Sequence, residues 1–151
     1  SNIRPLLKKN NNQLFINIDN NAFTPSIDYE KSLHILVNLL SNATKFTKNG
    51  AVTISVNNKP HYLNLIVSDT GIGLTKNQLD TIFYQFHQVD HKDALRTKGT
   101  GLGLSITKHF CELMGGHITT KSKKGVGTTF IVNIPLPVVI NSKTILEIDD
   151  N

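Results

Sequence analysis

Two stretches of the chain alternate between apolar and polar residues. In "AVTISVN", residues 51–57, Val52, Ile54 and Val56 recur at every second position, and in "HYLNLIVSD", residues 61–69, Leu63, Leu65 and Val67 do the same. A period of two puts each set on one face of a strand, so both read as strands with one buried face. The turn residues "NNKP" between them predict an antiparallel hairpin. "LFINI" (14–18), "HITTK" (117–121) and "GTTFIVNI" (127–134) read as three more strands, the last two joined by the turn "KKGVG".

Elsewhere the period is that of a helix. Residues 26–46 predict a long one, with Thr24-Pro25-Ser26 and Asp28 as start signals. Leu33, Ile35, Leu36, Val37, Leu39, Leu40, Ala43 and Phe46 nearly surround a polar stripe of Lys31, His34, Asn38, Asn42 and Lys45. The stripe advances by three or four residues at each step, so it occupies one narrow face. A helix apolar on nearly all other sides is expected to be buried almost all round, and its polar stripe to line a cavity. A short helix is expected after Thr75, with Gln78 placed for a capping box. A third covers about 101–114 and stops at Gly115-Gly116. By spacing its core residues are Ile106, Phe110 and Leu113, and Cys111 and Met114 read as core or interface. The order β-α-β-β-α-α-β-β does not alternate strictly, which predicts an α+β fold: a two-layer sandwich, a mixed and mostly antiparallel sheet with helices on one face.

Three features carry chemistry. Asn38 and Asn42, one helical turn apart, offer carbonyl oxygens without charge, which suits a hard cation that shares its ligands with phosphates. "SDTGIGL" leaves the strand ending at Asp69, where Gly71 and Gly73 permit a sharp turn; alone, this D-x-G-x-G is no more than a turn signal. "RTKGTGLGLSITKHF" places Gly99, Gly101 and Gly103 just before a helix, whose free N–H groups would face an anion. The competing reading is close packing of a helix start on the sheet. The spacing is neither the dinucleotide-binding fingerprint nor a P-loop.

Taken together and in order, "HILVNLLSNATKFT", "DTGIGL", "IFYQFHQVD" and "GTGLGLSI" resemble the N box, first glycine box, F box and second glycine box of sensor histidine kinases. The later "GVGTTF" is similar to that family's terminal glycine turn. The resemblance runs from about residue 10 to 136 and implies a catalytic and ATP-binding domain of the Bergerat type, residues 1–137, with a mobile ATP lid over 74–98. It implies ATP and Mg²⁺ as cofactors. Asn42 would be the Mg²⁺ ligand, with Asn38 contacting phosphate or metal, Lys45 reaching the phosphates and Phe46 covering the adenine. Asp69 would accept from the adenine amino group, with Gly71 and Gly73 lying against the base. Phe83 and Phe86 would dock the lid, and Thr128, in the terminal glycine turn, joins the nucleotide site. Gly99, Thr100, Gly101, Leu102 and Gly103 would wrap the phosphates, with Arg96 and Lys98 as further phosphate contacts. Lys31 and His34 depart from the Arg and Gln common at their positions, and Lys98 from a common Gly.

The resemblance further implies partners: a histidine-bearing dimerisation domain of the same protein and a response-regulator receiver domain. No histidine here stands in the H-[ED]-x-x-x-P context of the family's phosphoacceptor, so the nucleophile is expected elsewhere and ATP hydrolysis by this segment should be poor. "TILEI" followed by Asp149-Asp150 in residues 138–151 resembles the first strand of a receiver domain, although Glu147 departs from that pattern; the parent would then be a hybrid kinase. Three alternatives share the boxes. A gyrase, mismatch-repair or heat-shock-chaperone ATPase would need a catalytic glutamate in the long helix, and Glu30 lies twelve residues before Asn42. The others are a serine-kinase anti-sigma factor and a nucleotide sensor without kinase activity.

Composition narrows the setting. The net charge of +5 suits polyphosphate ligands, but the basic residues are scattered, which argues against nucleic acid. No apolar run approaches the roughly 18 residues of a membrane span, so direct membrane contact is not expected. The lone Cys111 allows no internal disulfide and fits a reducing, cytoplasmic setting, whatever anchors the parent.

Overall fold

The computed structural model describes residues 3–19, 28–84 and 103–136. Its elements are α1 (Ile3–Lys9), β1 (Gln13–Ile18), α2 (Tyr29–Lys45), β2 (Ala51–Asn58), β3 (Tyr62–Asp69), α3 (Lys76–Leu79), α4 (Gly103–Leu113), β4 (His117–Lys123) and β5 (Gly127–Pro135). One five-stranded sheet runs in the order β1-β2-β3-β5-β4. β1 pairs with β2 in parallel, and every other pair is antiparallel. The β2–β3 hairpin is as the alternation predicts, and the mixed, mostly antiparallel sheet is as the family resemblance implies.

The alternating residues decide which face is covered. Val52, Ile54 and Val56 of β2, Leu63, Leu65 and Val67 of β3, and Phe130, Val132 and Ile134 of β5 are all buried on one face. On that face lie α2, against β2 and β3, and α4, against β4 and β5, with the two helices touching each other. The opposite face mixes apolar residues such as Phe15, Ile66 and Ile131 with polar ones that satisfy one another sideways. Asn57 Nδ2 donates to Asn64 Oδ1 at 3.1 Å, Asn64 Nδ2 to Asn133 Oδ1 at 2.7 Å, and Ser68 and Thr129 share a 2.8 Å hydrogen bond.

Asp28 caps α2 by accepting from the Lys31 N–H at 3.1 Å, and Thr75 and Gln78 form the predicted capping box. Lys31 leaves the stripe's chemistry to pair with Asp28, its Nζ 2.8 Å from Oδ2. α4 ends in a Schellman arrangement: the Gly116 N–H donates to Cys111 O at 2.8 Å and the Gly115 N–H to Glu112 O at 2.9 Å. Three expectations need correction. α2 is not buried almost all round, because Leu33 is 46% and Val37 41% exposed: one layer of helices covers one sheet face, and no described element packs on the far side of α2. Leu113 is 59% exposed for the same reason, whereas Cys111 is fully buried and Phe110 and Met114 pack on the core. α1 was not expected at all.

α1 is tied down by asparagines. Asn12 Nδ2 donates to Thr44 O at 3.1 Å and Thr47 O at 2.8 Å, and its Oδ1 accepts from the Gly50 N–H at 3.1 Å. Buried Asn10 adds a 2.8 Å bond to Thr44 O. One carboxamide thus satisfies three backbone groups at the end of α2 and the start of β2. Replacing Asn12 by Ala leaves those groups short of partners, which should cost about 2 kcal/mol. Urea denaturation at neutral pH checks this; an unchanged midpoint would show that the clamp is dispensable.

Candidate functional site

The period of two along β3 has one more step. After Leu63, Leu65 and Val67, the next inward position is Asp69. A carboxylate therefore stands where the pattern calls for a core residue. Strand register sets Thr128 of β5 directly opposite. The Asp69 Oδ1 accepts from the Gly71 N–H at 2.9 Å and from the Thr128 N–H at 3.3 Å. Both bonds fall on one oxygen, which leaves Oδ2 for a ligand. Burial pushes the Asp69 pKa up, and the Gly71 and Thr128 N–H groups and the nearby Thr47 hydroxyl partly oppose that rise. Thr47 Oγ1 favours the charged form, yet this buried hydroxyl oxygen has no partner at hydrogen-bonding geometry.

Asp69 forms part of a cavity enclosing about 410 Å³, open mouth included. Its walls are Asn42, Ala43 and Phe46 of the α2 end, Ile72, Gly73 and Leu74, Ile82, Leu104 of α4, and Thr128 and Phe130 of β5. An apolar cleft with a few convergent polar groups is the usual form of a small-molecule site. Of the sequence-predicted residues, Asn42, Phe46, Asp69, Gly73 and Thr128 meet in it. Asn38, Lys45, Gly71 and Gly103 do not line it, although Gly71 holds Asp69 and Asn38 touches the first turn of α4. Arg96, Lys98, Gly99, Thr100, Gly101 and Leu102 lie outside the described residues, as do Phe86 and most of the expected lid.

The rim is tightly specified. Gly73 adopts φ +69°, and a Cβ there would sit 2.1 Å from Lys123 O; at Gly71 it would sit 2.2 Å from Phe46 O. Ser122 was missed by the sequence reading and links three parts of the rim. Its Oγ accepts from the Leu74 N–H at 2.7 Å, donates to Gly127 O at 3.0 Å and shares a 2.7 Å bond with Thr128 Oγ1. With the Ser122 hydrogen on Gly127 O, Thr128 is the donor of that last bond. Its lone pairs then remain for the cavity. Phe83 docks edge-on against Phe130, with ring centroids 6.3 Å apart, as expected for the F box. Lys108 of α4 lies 5.7 Å over the same ring.

Gly103 opens α4, and among the described residues nothing lies within 4 Å of where a Cβ would sit, so packing among them does not demand a glycine here. Among the described residues no group of three or more His, Cys, Asp or Glu side chains could hold a metal ion. A cation here would rely on amide oxygens and a ligand's own oxygens, which fits Mg²⁺ carried on a polyphosphate.

Residues 27–138 match the sequence model of the histidine kinase-, DNA gyrase B- and HSP90-like ATPases. The chain belongs to this family. It is 42% identical over 113 residues to hybrid signal transduction histidine kinase B of Dictyostelium discoideum, covering 72% of this chain and 6% of that protein. It is 41% identical over 118 residues to the aerobic respiration control sensor protein ArcB of Escherichia coli, covering 77% of this chain and 14% of ArcB. The catalytic domain of histidine kinase ThkA superposes with a TM-score of 0.72 at 28% identity, over 89% of this chain and 90% of that one. Full-length ShkA in complex with AMPPNP gives 0.73 at 25% identity, over 92% of this chain and 28% of that one. The chain thus spans a small part of the curated kinases it matches, and it is the histidine kinase type of ATPase domain that they share. No described helix is long and apolar enough to cross a membrane.

Because the raised Asp69 pKa means that the folded state binds its proton more tightly, burial of the charge opposes folding at neutral pH. This penalty vanishes once both states are protonated, below the ordinary value of 3.8. Asp69→Asn keeps an acceptor for the two N–H groups and removes the charge. The ligand-free variant should resist urea better than wild type at neutral pH, with the difference shrinking as pH falls toward 3.8. A variant less stable than wild type across that range would show that the charged carboxylate is a net structural asset.

Proposed function

We propose that this domain binds ATP with Mg²⁺ and positions the γ-phosphate for transfer to a histidine on a dimerisation domain of the same protein. Asp69 carries the reading: a half-buried carboxylate whose Oδ2 has no partner among the described residues, set in a mostly apolar cleft, selects a ligand with a flat apolar body and an exocyclic amine. Adenine has both. The family membership supports ATP, and the AMPPNP held by ShkA supports the triphosphate.

In this reading Phe46, Ile72 and Leu74 exclude water from the base, while Thr128 offers an acceptor beside Asp69. Asn42 directs its carboxamide to the cavity from the end of α2, where its oxygen would hold Mg²⁺, and Lys45 lies one turn further on. The metal would neutralise charge on the phosphates. The N-terminus of α4 would face the same charge. Transfer then depends on positioning and electrostatics, with no covalent step on this domain. The acceptor histidine, and any base beside it, would come from the dimerisation domain.

Calorimetry tests the site. Wild type should bind Mg·ATP in the micromolar range and GTP poorly, since the guanine oxygen would face the Asp69 carboxylate. Asn42→Ala should weaken Mg·ATP far more than metal-free nucleotide; equal losses with and without Mg²⁺ would sink the Asn42 assignment. Labelled ATP supplied with the parent's dimerisation domain should give a phosphohistidine, and no transfer there would leave an ATP sensor.

The hybrid architecture of the Dictyostelium relative supports a second proposal, that residues 138–151 begin a receiver domain. These residues lie outside the described ones. The coding sequence beyond residue 151 should then continue as a second α/β pattern with an aspartate at a strand end. A continuation without one rules out the hybrid reading.

A further inference from the structure

α2 and α4 meet through a polar cluster of which only Asn38 belongs to the expected ATP site. Thr107, in the second turn of α4, is fully buried, and its Oγ1 donates to Gly103 O at 2.8 Å, one turn back. Across the helix pair, Asn38 Nδ2 lies 3.2 Å from Thr107 Oγ1 and 3.4 Å from Gly103 O. On the α2 side it lies 3.0 Å from His34 Nε2. The His34 ring rests edge-on against Phe110, centroids 4.8 Å apart at 69°, which sets its plane.

The chemistry of these partners favours one arrangement. A backbone carbonyl only accepts. A threonine hydroxyl whose hydrogen is already on Gly103 O presents lone pairs to anything else. Asn38 therefore turns its NH₂ toward α4, and His34 accepts from it through Nε2 in the tautomer with its hydrogen on Nδ1. A flipped carboxamide would set Oδ1 against Gly103 O, which cannot donate, and would regain partners only by drawing the Thr107 hydrogen off Gly103 O and moving the His34 hydrogen to Nε2. Because a carboxamide is planar, committing Nδ2 to α4 turns Oδ1 away from it.

We propose that Thr107 and His34 are positioning residues that lock the Asn38 carboxamide with its oxygen turned away from α4, as an acceptor for the ligand of the proposed function. Neither touches the nucleotide. Through them Asn38 offers an acceptor, fit for a cation or a cation's water, and no donor for a phosphate oxygen. The inference rests on the Mg·ATP reading for its ligand, but the lock itself exists in the ligand-free chain and is tested there.

Thr107→Val keeps the buried volume and replaces Oγ1 by a methyl, Thr107→Ser keeps the hydroxyl, and His34→Phe removes the other acceptor at an exposed position. In ligand-free protein, the Asn38 side-chain amide signals in ¹⁵N-correlated NMR should move in Thr107→Val and His34→Phe and stay in place in Thr107→Ser. Calorimetry should show Mg·ATP bound about fivefold more weakly by Thr107→Val, as for one lost hydrogen bond. Metal-free ADP should bind as in wild type, and Thr107→Ser should restore Mg·ATP binding. Asn38 signals that ignore Thr107→Val, or equal losses with and without Mg²⁺, would overturn the lock. A wild-type chain that binds no Mg·ATP would instead overturn the functional reading, and the amide signals would still decide the lock.

Discussion

A carboxylate in a core position is the constraint around which the described residues are arranged. Asp69 occupies the inward face of β3 because the alternation of Leu63, Leu65 and Val67 runs one step further than the apolar residues do. Placing a charge there is unfavourable unless hydrogen bonds hold it. The surroundings supply them: the turn at Gly71 returns one N–H, and the register with β5 delivers another from Thr128. The turn can close so tightly only because Gly71 lets Phe46 O approach, and Gly73 takes a left-handed conformation against Lys123 O. Three segments distant in sequence are thus gathered by the needs of one side chain.

This arrangement leaves the ligand-free protein incompletely satisfied. The Asp69 charge remains partly desolvated, and the buried Thr47 hydroxyl has no partner. Such residual penalties are tolerated at binding sites because a ligand with the matching donor removes them. On the proposed reading the groups that oppose folding would be the ones an amine-bearing base satisfies, and nucleotide binding would then raise stability.

Much of this was legible because it is local. Strand alternation, the Asp28 cap, the Thr75–Gln78 box and the Gly115-Gly116 stop each depend on residues a few positions apart. The order of the boxes pointed to the family, and five of the predicted residues meet in one cavity. What escaped depends on distant partners. Asn12 reaches Thr44 and Thr47, 32 and 35 residues away, and nothing in "KKNNNQ" names those partners. Ser122 reads as an ordinary strand serine until the β4–β5 turn folds it onto Leu74. Leu113 and Val37 have core spacing but face the side of their helices that no described element covers. Periodicity marks the apolar face of a helix; it does not say whether that face has a partner.

The two ends of the cleft are built differently, and that difference bears on how the site works. The end holding Asp69 and Thr128 is made of paired strands and backbone hydrogen bonds, so its geometry follows the sheet. The other end is made where α2 meets α4, and its polar order comes from side chains: Asn38, Thr107 and His34. Side-chain bonds between helices rearrange more easily than a strand ladder, because no cooperative array holds them. Asn12 bonds at Thr44 and Thr47, the last turn of α2 and the residue beside Asp69. A shift of α1 would therefore reach the Asp69 end and α2 together, whereas a shift of α4 would first disturb the Asn38–Thr107 contact and, through Leu104, the apolar wall of the cleft.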